Sequence, residues 1–165
     1  MPVAAGQFAV TATPGFVGWL IRWATRSTVN HAVLCVGDTG ECVEAQPHGV
    51  RMVKADAYPH AIWSNEPLTP HQVGTIAGWG LAHVGERYGW ITIAAIVLEL
   101  AHIKPRWLLR ELREPGSLIC SELVARAYQA AGITLVPTEW IGRVRPDELL
   151  AAINNQKEVH HGSLG

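Results

Sequence analysis

At 165 residues the chain has the length of one domain. With 48% apolar residues and a formal net charge of −1, it can bury a core of ordinary size. It offers no basic run to nucleic acid or anionic lipid, so no nucleic-acid partner is expected. Its three cysteines, Cys35, Cys42 and Cys120, are odd in number and fit neither a CxxC zinc pattern nor a disulfide framework. That leaves a reducing compartment or one free functional thiol.

Taken in order, "MPVAAGQFAV" lacks the basic n-region and sustained apolar core of a signal peptide, so the chain is expected to be cytoplasmic as synthesised. Within it, "GQFAVTA" reads as a short strand. "PGFVGWLIRWATRS" reads as a helix with Phe16, Trp19, Leu20 and Trp23 on one face. "NHAVLCVGDTGECVEAQPHGVRMV" reads as a β-meander turning at "GDTG" and again at "PHG". "LTPHQVGTIAGWGLAHVG" is a helix capped by Thr69, with Pro70 in its first turn and Gly85 just past its end. "RYGW" reads as a loop. The longest apolar run, "WITIAAIVLELA" from Trp90 to Ala101, is broken by Glu99 and falls short of the roughly 20 residues that span a bilayer. It reads as a buried helix, and no stable membrane insertion is expected. "KPRWLLRELREPG" is a short amphipathic helix, "SLICSELVARAYQAAG" a helix ended by Gly132, and "RPDELLAAINN" a last helix opened by Pro146. The sum is one α+β domain over residues 1–153, a small antiparallel sheet packed against helices, followed by a polar tail over 154–165 that reads as frayed.

The chemistry concentrates on Cys120. With Ser117 as N-cap, Cys120 falls in the first turn, where unpaired N–H groups and the helix dipole favour a thiolate. Leu123, Val124, Ala127 and Ala131 supply the buried face beyond it. A nucleophilic cysteine needs a base, and the base an orienting group. His31 is the histidine inside a strand-like run. If Asp38 and Thr39 form the hairpin tip, Val33 lies opposite Glu44 and His31 opposite Gln46; a shift of two residues puts Glu44 opposite His31. In either register strand alternation brings His31, Cys35, Cys42, Glu44 and Gln46 to one face, with Cys35 and Cys42 expected to fill the core side of the sheet. The third member of the triad is therefore Glu44 or Gln46. No HxxxH or HExxH spacing occurs, so neither a metal nor another cofactor is expected.

The segments "HAVLCVGDTGECVEAQPHGVRM", "GERYGW" and "ICSELVARAYQAAGITLVP", in that order, resemble the NlpC-like cysteine peptidases of the papain-like superfamily. The histidine strand precedes the cysteine helix, as in the circularly permuted, YiiX-like arrangement, and the likeness covers Gly6 to about Leu150. The resemblance implies a permuted papain-like fold with Cys120 as nucleophile, His31 as general base, Glu44 as polar third member and Tyr88 as an oxyanion-stabilising group. Two positions depart from the unpermuted "DCSGLV" pattern: Ile119 stands where that pattern has Asp, and Glu122 where it has Gly. Glu122 puts a larger side chain beside the thiol. Lipid-acting relatives with a "NCEHF"-type motif match less well.

The resemblance further implies hydrolysis of a short-peptide amide through an acyl-enzyme, with the peptide stems of peptidoglycan as substrate. A cell-wall hydrolase fits, including a bacteriophage lysin or tail-associated enzyme with a virion or delivery partner. Two other classes stay open: a thiol acyltransferase or thioesterase on lipid or acyl substrates, and a non-catalytic structural module that keeps the fold.

Overall fold

A computed structural model of the chain describes residues 3–14, 18–19, 22–23, 26–88, 117–137, 141 and 144–162. Five antiparallel strands build its main sheet: β1 (Phe8–Thr11), β2 (His31–Cys35), β3 (Glu41–Gln46), β4 (Gly49–Lys54) and β5 (Ile62–Trp63), in the spatial order β4-β3-β2-β1-β5. A second, two-stranded parallel sheet joins β6 (Arg87–Tyr88) to β7 (Ser117–Leu118). Three helices are described from end to end, α1 (Pro70–Ala82), α2 (Cys120–Ala130) and α3 (Pro146–Gly162). The molecule is thus α+β, as the alternation of strand-period and helix-period segments predicts.

The meander turns where the glycines allow it. Gly40 sits at φ +81° and Gly49 at +112°, conformations that L side chains rarely adopt. A Cβ on Gly49 would also stand 2.7 Å from the Glu86 carbonyl, so this turn approaches the backbone before β6 closely. The first turn fixes the tight register: Leu34 faces Val43 and Cys35 faces Cys42. The second places Gln46 opposite Gly49 and Glu44 opposite Arg51.

Alternation then divides the strands between two faces. Phe8 and Val10 of β1, Ala32 and Leu34 of β2, and Val43 and Ala45 of β3 join Ile76, Leu123, Val124, Ala127, Tyr128, Leu149 and Ile153 in one apolar core. Both α1 and α2 pack on β2. Gly80 lets α1 come close, since a Cβ there would meet the Leu34 and Val36 side chains at 3.0 and 3.1 Å. Tyr128 crosses the core edge-on to Phe8 and donates its hydroxyl to the Gly6 carbonyl at 2.7 Å. Helix α1 carries the cap the sequence predicts: Thr69 accepts from the Gln72 N–H, and the Gln72 side chain accepts from the Thr69 N–H.

Several sequence expectations need correction. Arg87 and Tyr88 are not loop but strand, because they pair with Ser117 and Leu118. The same pairing keeps Ser117 extended, so it is not the N-cap of α2; Ile119 is, without a side-chain cap bond. The polar tail is helical to Gly162, since nothing between Pro146 and Gly162 breaks the helix. Cys35 and Cys42 do not face the helices; they lie on the opposite side of the sheet from Leu34 and Val43, fully buried there. Residues 18–19 and 22–23 are helical as expected, and Trp19 stacks on Trp23 with ring centroids 6.4 Å apart, both rings more than half exposed. The expected helices at 90–101 and 104–116 fall outside the described residues.

Candidate active site

The β2–β3 ladder ends at Leu34 and Val43. Beyond these pairs His31 meets the side chains of Glu44 and Gln46 from β3, and the site is built there. Cys120 is the first residue of α2, over this end of β2. The backbone N–H groups of Ala32 and Ser121 lie on the side of the Cys120 sulfur and favour its thiolate form. The first intrahelical bond runs from Leu123 N–H to Ile119 O at 2.9 Å, so the N–H groups of Cys120, Ser121 and Glu122 are not consumed by the helix. Ser121 anchors this turn by donating its buried hydroxyl to the Val144 carbonyl. Glu122 accepts from Arg126 Nε at 2.7 Å, one turn on; burial raises its pKa against this contact. The Glu122 carboxylate is thereby held along its own helix.

His31 and Glu44 form a buried pair, 4% and 0% exposed, with His31 Nε2 2.7 Å from Glu44 Oε2. This leaves Nδ1 as the ring nitrogen free to meet the thiol. Burial alone would lower the His31 pKa, but hydrogen bonds with Cys120 and with Glu44 outweigh it and raise the group to about 9. Burial would likewise push Cys120 and Glu44 up. Instead the hydrogen bond and charge of His31 draw the thiol down, and His31, Tyr58 and Arg51 hold Glu44 at about 2. All three directions favour a thiolate–imidazolium pair backed by a carboxylate.

Glu44 and Gln46 differ in their distance from the ring, 2.7 against 3.4 Å. The tight register is the one that points Gln46 toward His31, yet Glu44 reaches the ring diagonally. Gln46 Nε2 donates to Glu44 Oε2 at 3.4 Å and lies equally far from His31 Nε2. The structure thus brings Cys120, His31, Glu44 and Gln46 together. The backbone of Tyr88 pairs with Leu118, two residues before Cys120, while its side chain lies outside the described residues.

Two further residues touch the site. Arg51 binds Glu44 Oε1 through Nε and Nη2, each at 2.9 Å. Tyr58 donates its hydroxyl to Glu44 Oε2 and sets its ring 5.7 Å from the imidazole. The sequence signal for Arg51 is the "QPHG" turn, since pairing Gln46 with Gly49 puts Arg51 opposite Glu44. Tyr58 follows a single 3-10 turn, Ala55–Ala57, and carries no periodic signal. The other thiols differ. Cys35 donates its thiol to the Gly37 and Glu41 carbonyls at 3.3 Å and Cys42 to the Gly40 carbonyl at 3.6 Å; the proximity of the two sulfurs lowers Cys35 against its burial and, with burial, raises Cys42.

Among the described residues no group of His, Cys, Asp or Glu is arranged to hold a metal ion, and no helix is long and apolar enough to cross a membrane. No protein-family model matches the chain, and no curated protein matches it.

Proposed function

We propose that the protein is a cysteine hydrolase of the permuted papain-like, NlpC-like kind, cleaving an amide bond in the peptide stems of peptidoglycan. The observation that carries this reading is Cys120 at the first position of α2, against an imidazole whose far nitrogen is fixed 2.7 Å from a fully buried carboxylate. A histidine buried only for packing has no need of this arrangement, because burial by itself favours the neutral ring.

In the reaction, the Cys120 proton rests on His31. The thiolate attacks the amide carbon, and the carbonyl oxygen becomes an oxyanion facing the N–H groups at the start of α2. The imidazolium gives its proton to the leaving nitrogen as the C–N bond breaks, leaving a thioester on Cys120. His31 then takes a proton from water, the hydroxide equivalent attacks the thioester, and the thiolate leaves as the acid is released. Glu44 stabilises the imidazolium through both steps. A role at the cell wall follows from the substrate, whether the enzyme is a host hydrolase or is carried by a bacteriophage particle.

The experiment is mass spectrometry of purified cell-wall fragments after incubation with the wild type and with Cys120→Ala. New stem-peptide termini with the wild type alone support the reading. Unchanged fragments alongside cleavage of a fatty-acyl ester would replace it with the thioesterase reading.

A further inference from the structure

Among the described residues, Glu44 is the most heavily engaged side chain. Its Oε1 takes both Arg51 nitrogens, and its Oε2 takes His31, Tyr58 and, more distantly, Gln46. A carboxylate that served only to turn an imidazole would need one donor. Arg51 and Tyr58 come from separate elements. Arg51 is the cross-strand partner of Glu44 on β4. Tyr58 is held by its own turn, its N–H bonded to Ala55 O at 3.0 Å and its carbonyl to Ala61 N–H at 3.1 Å. Their donors fall on different oxygens, which fixes the plane of the carboxylate as well as its position. Tyr58 and His31 share Oε2, so charge given to one donor is withheld from the other.

We infer that Arg51 and Tyr58 are positioning residues that fix both oxygens of Glu44 and, by sharing its charge, restrain its hold on the His31 proton. The inference rests on the reading of Cys120, His31 and Glu44 as a catalytic unit. It adds a reason for the two extra donors: an imidazolium bound too tightly to its carboxylate is a poor acid toward the leaving nitrogen. The titratable and charged groups that face Glu44 are His31, Arg51, Tyr58 and the Cys42 thiol, with Cys120 beyond the ring.

Two readouts test it. The first is the His31 ring titration by NMR in the full chain, which needs no substrate. Removing the Arg51 cation (Arg51→Gln) or the Tyr58 hydroxyl (Tyr58→Phe) should move the His31 midpoint to higher pH by about 0.5 or more, with Arg51→Lys returning it toward the wild type. The second is turnover of a stem peptide: both variants should lose kcat by about 10-fold or more while KM stays within about 2-fold. A His31 midpoint that stays put or falls in both variants overturns the inference. So does an Arg51→Gln enzyme with raised KM and unchanged kcat, which would make Arg51 a substrate contact. If the wild type turns over no stem peptide, the proposed function fails, and the NMR titration still decides the roles of Arg51 and Tyr58.

Discussion

Strands β2 and β3 present two faces built from alternate residues, and the faces obey different physics. On the helix side, Ala32, Leu34, Val43 and Ala45 meet α1 and α2 in a continuous apolar core. On the other side, His31, Cys35, Cys42 and Glu44 are just as buried, each at most 4% exposed, but carry charge or a thiol. The first face needs only volume and shape, so its contacts are many and individually replaceable. The second needs each donor matched to an acceptor, because breaking a buried ion pair costs about 3–5 kcal/mol. The two meet at the His31 end of β2, beside Cys120 at the start of α2. The apolar face holds the helix in place; the polar face supplies the groups that its first residue needs.

The sharpest way to break this comparison is to remove the joint between the faces. His31→Ala and Cys120→Ala should each lower turnover by roughly 10⁴-fold or more while the protein stays folded, and the double variant should add little, since members of one unit are non-additive. Full activity in His31→Ala, measured on stem peptides, would remove the imidazole from the mechanism.

The apolar face should respond in the opposite currency. Leu34→Ala should cost about 2–5 kcal/mol of stability in a denaturant titration, yet leave the pH profile of Cys120 reactivity in the native fraction unchanged. A displaced profile would mean that the two faces are not separable.

Glu44→Gln keeps the shape but removes the charge, leaving Arg51 unpaired. Turnover should fall about 100- to 1000-fold, less than for His31→Ala. The stability difference from wild type has a defined pH window. Glu44 is depressed from 4.5 to about 2, so its contribution is present above 4.5 and fades as pH falls toward 2. His31 is raised from 6.5 to about 9, so its contribution is present below 6.5 and fades as pH rises through 9. The difference should therefore be greatest between pH 4.5 and 6.5 and shrink on both sides. Denaturant titrations across pH check this; a difference that grows above pH 9 would contradict the pairing. Gln46→Ala should have the smallest effect, a loss of turnover within about 5-fold, because its contacts at 3.4 Å are long. A larger loss than for Glu44→Ala, with both variants folded by circular dichroism, would return Gln46 to the place of third member.

Much of the polar face was legible in the sequence because a strand has a period of two. Once "GDTG" is given Asp38 and Thr39 as its tip, His31, Glu44 and Gln46 must share a face. Which of the two polar residues reaches the ring was not legible, because the answer depends on a diagonal reach from Glu44 that no pairing rule encodes. The start of α2 was readable to within a turn. Its true cap, Ile119, was hidden because Ser117 is claimed by a parallel partner 30 positions earlier, Arg87. Two-residue strands such as β5 and β6 carry too little pattern to announce themselves. Tyr58 was invisible for a related reason: it arrives from an irregular turn, 14 residues beyond Glu44.

The central claim is that Cys120 rests as a thiolate because His31 holds its proton, and iodoacetamide labelling with peptide mapping tests it most directly. In the folded wild type, Cys120 should label fastest of the three thiols near neutral pH, with a rate that has already risen well below the ordinary thiol range of about 8.5. In His31→Ala that rise should move to the ordinary thiol range or above it, as expected for a buried thiol without a cation. Faster labelling of Cys35 or Cys42 in the folded protein, or a Cys120 profile that His31→Ala leaves in place, would contradict the account.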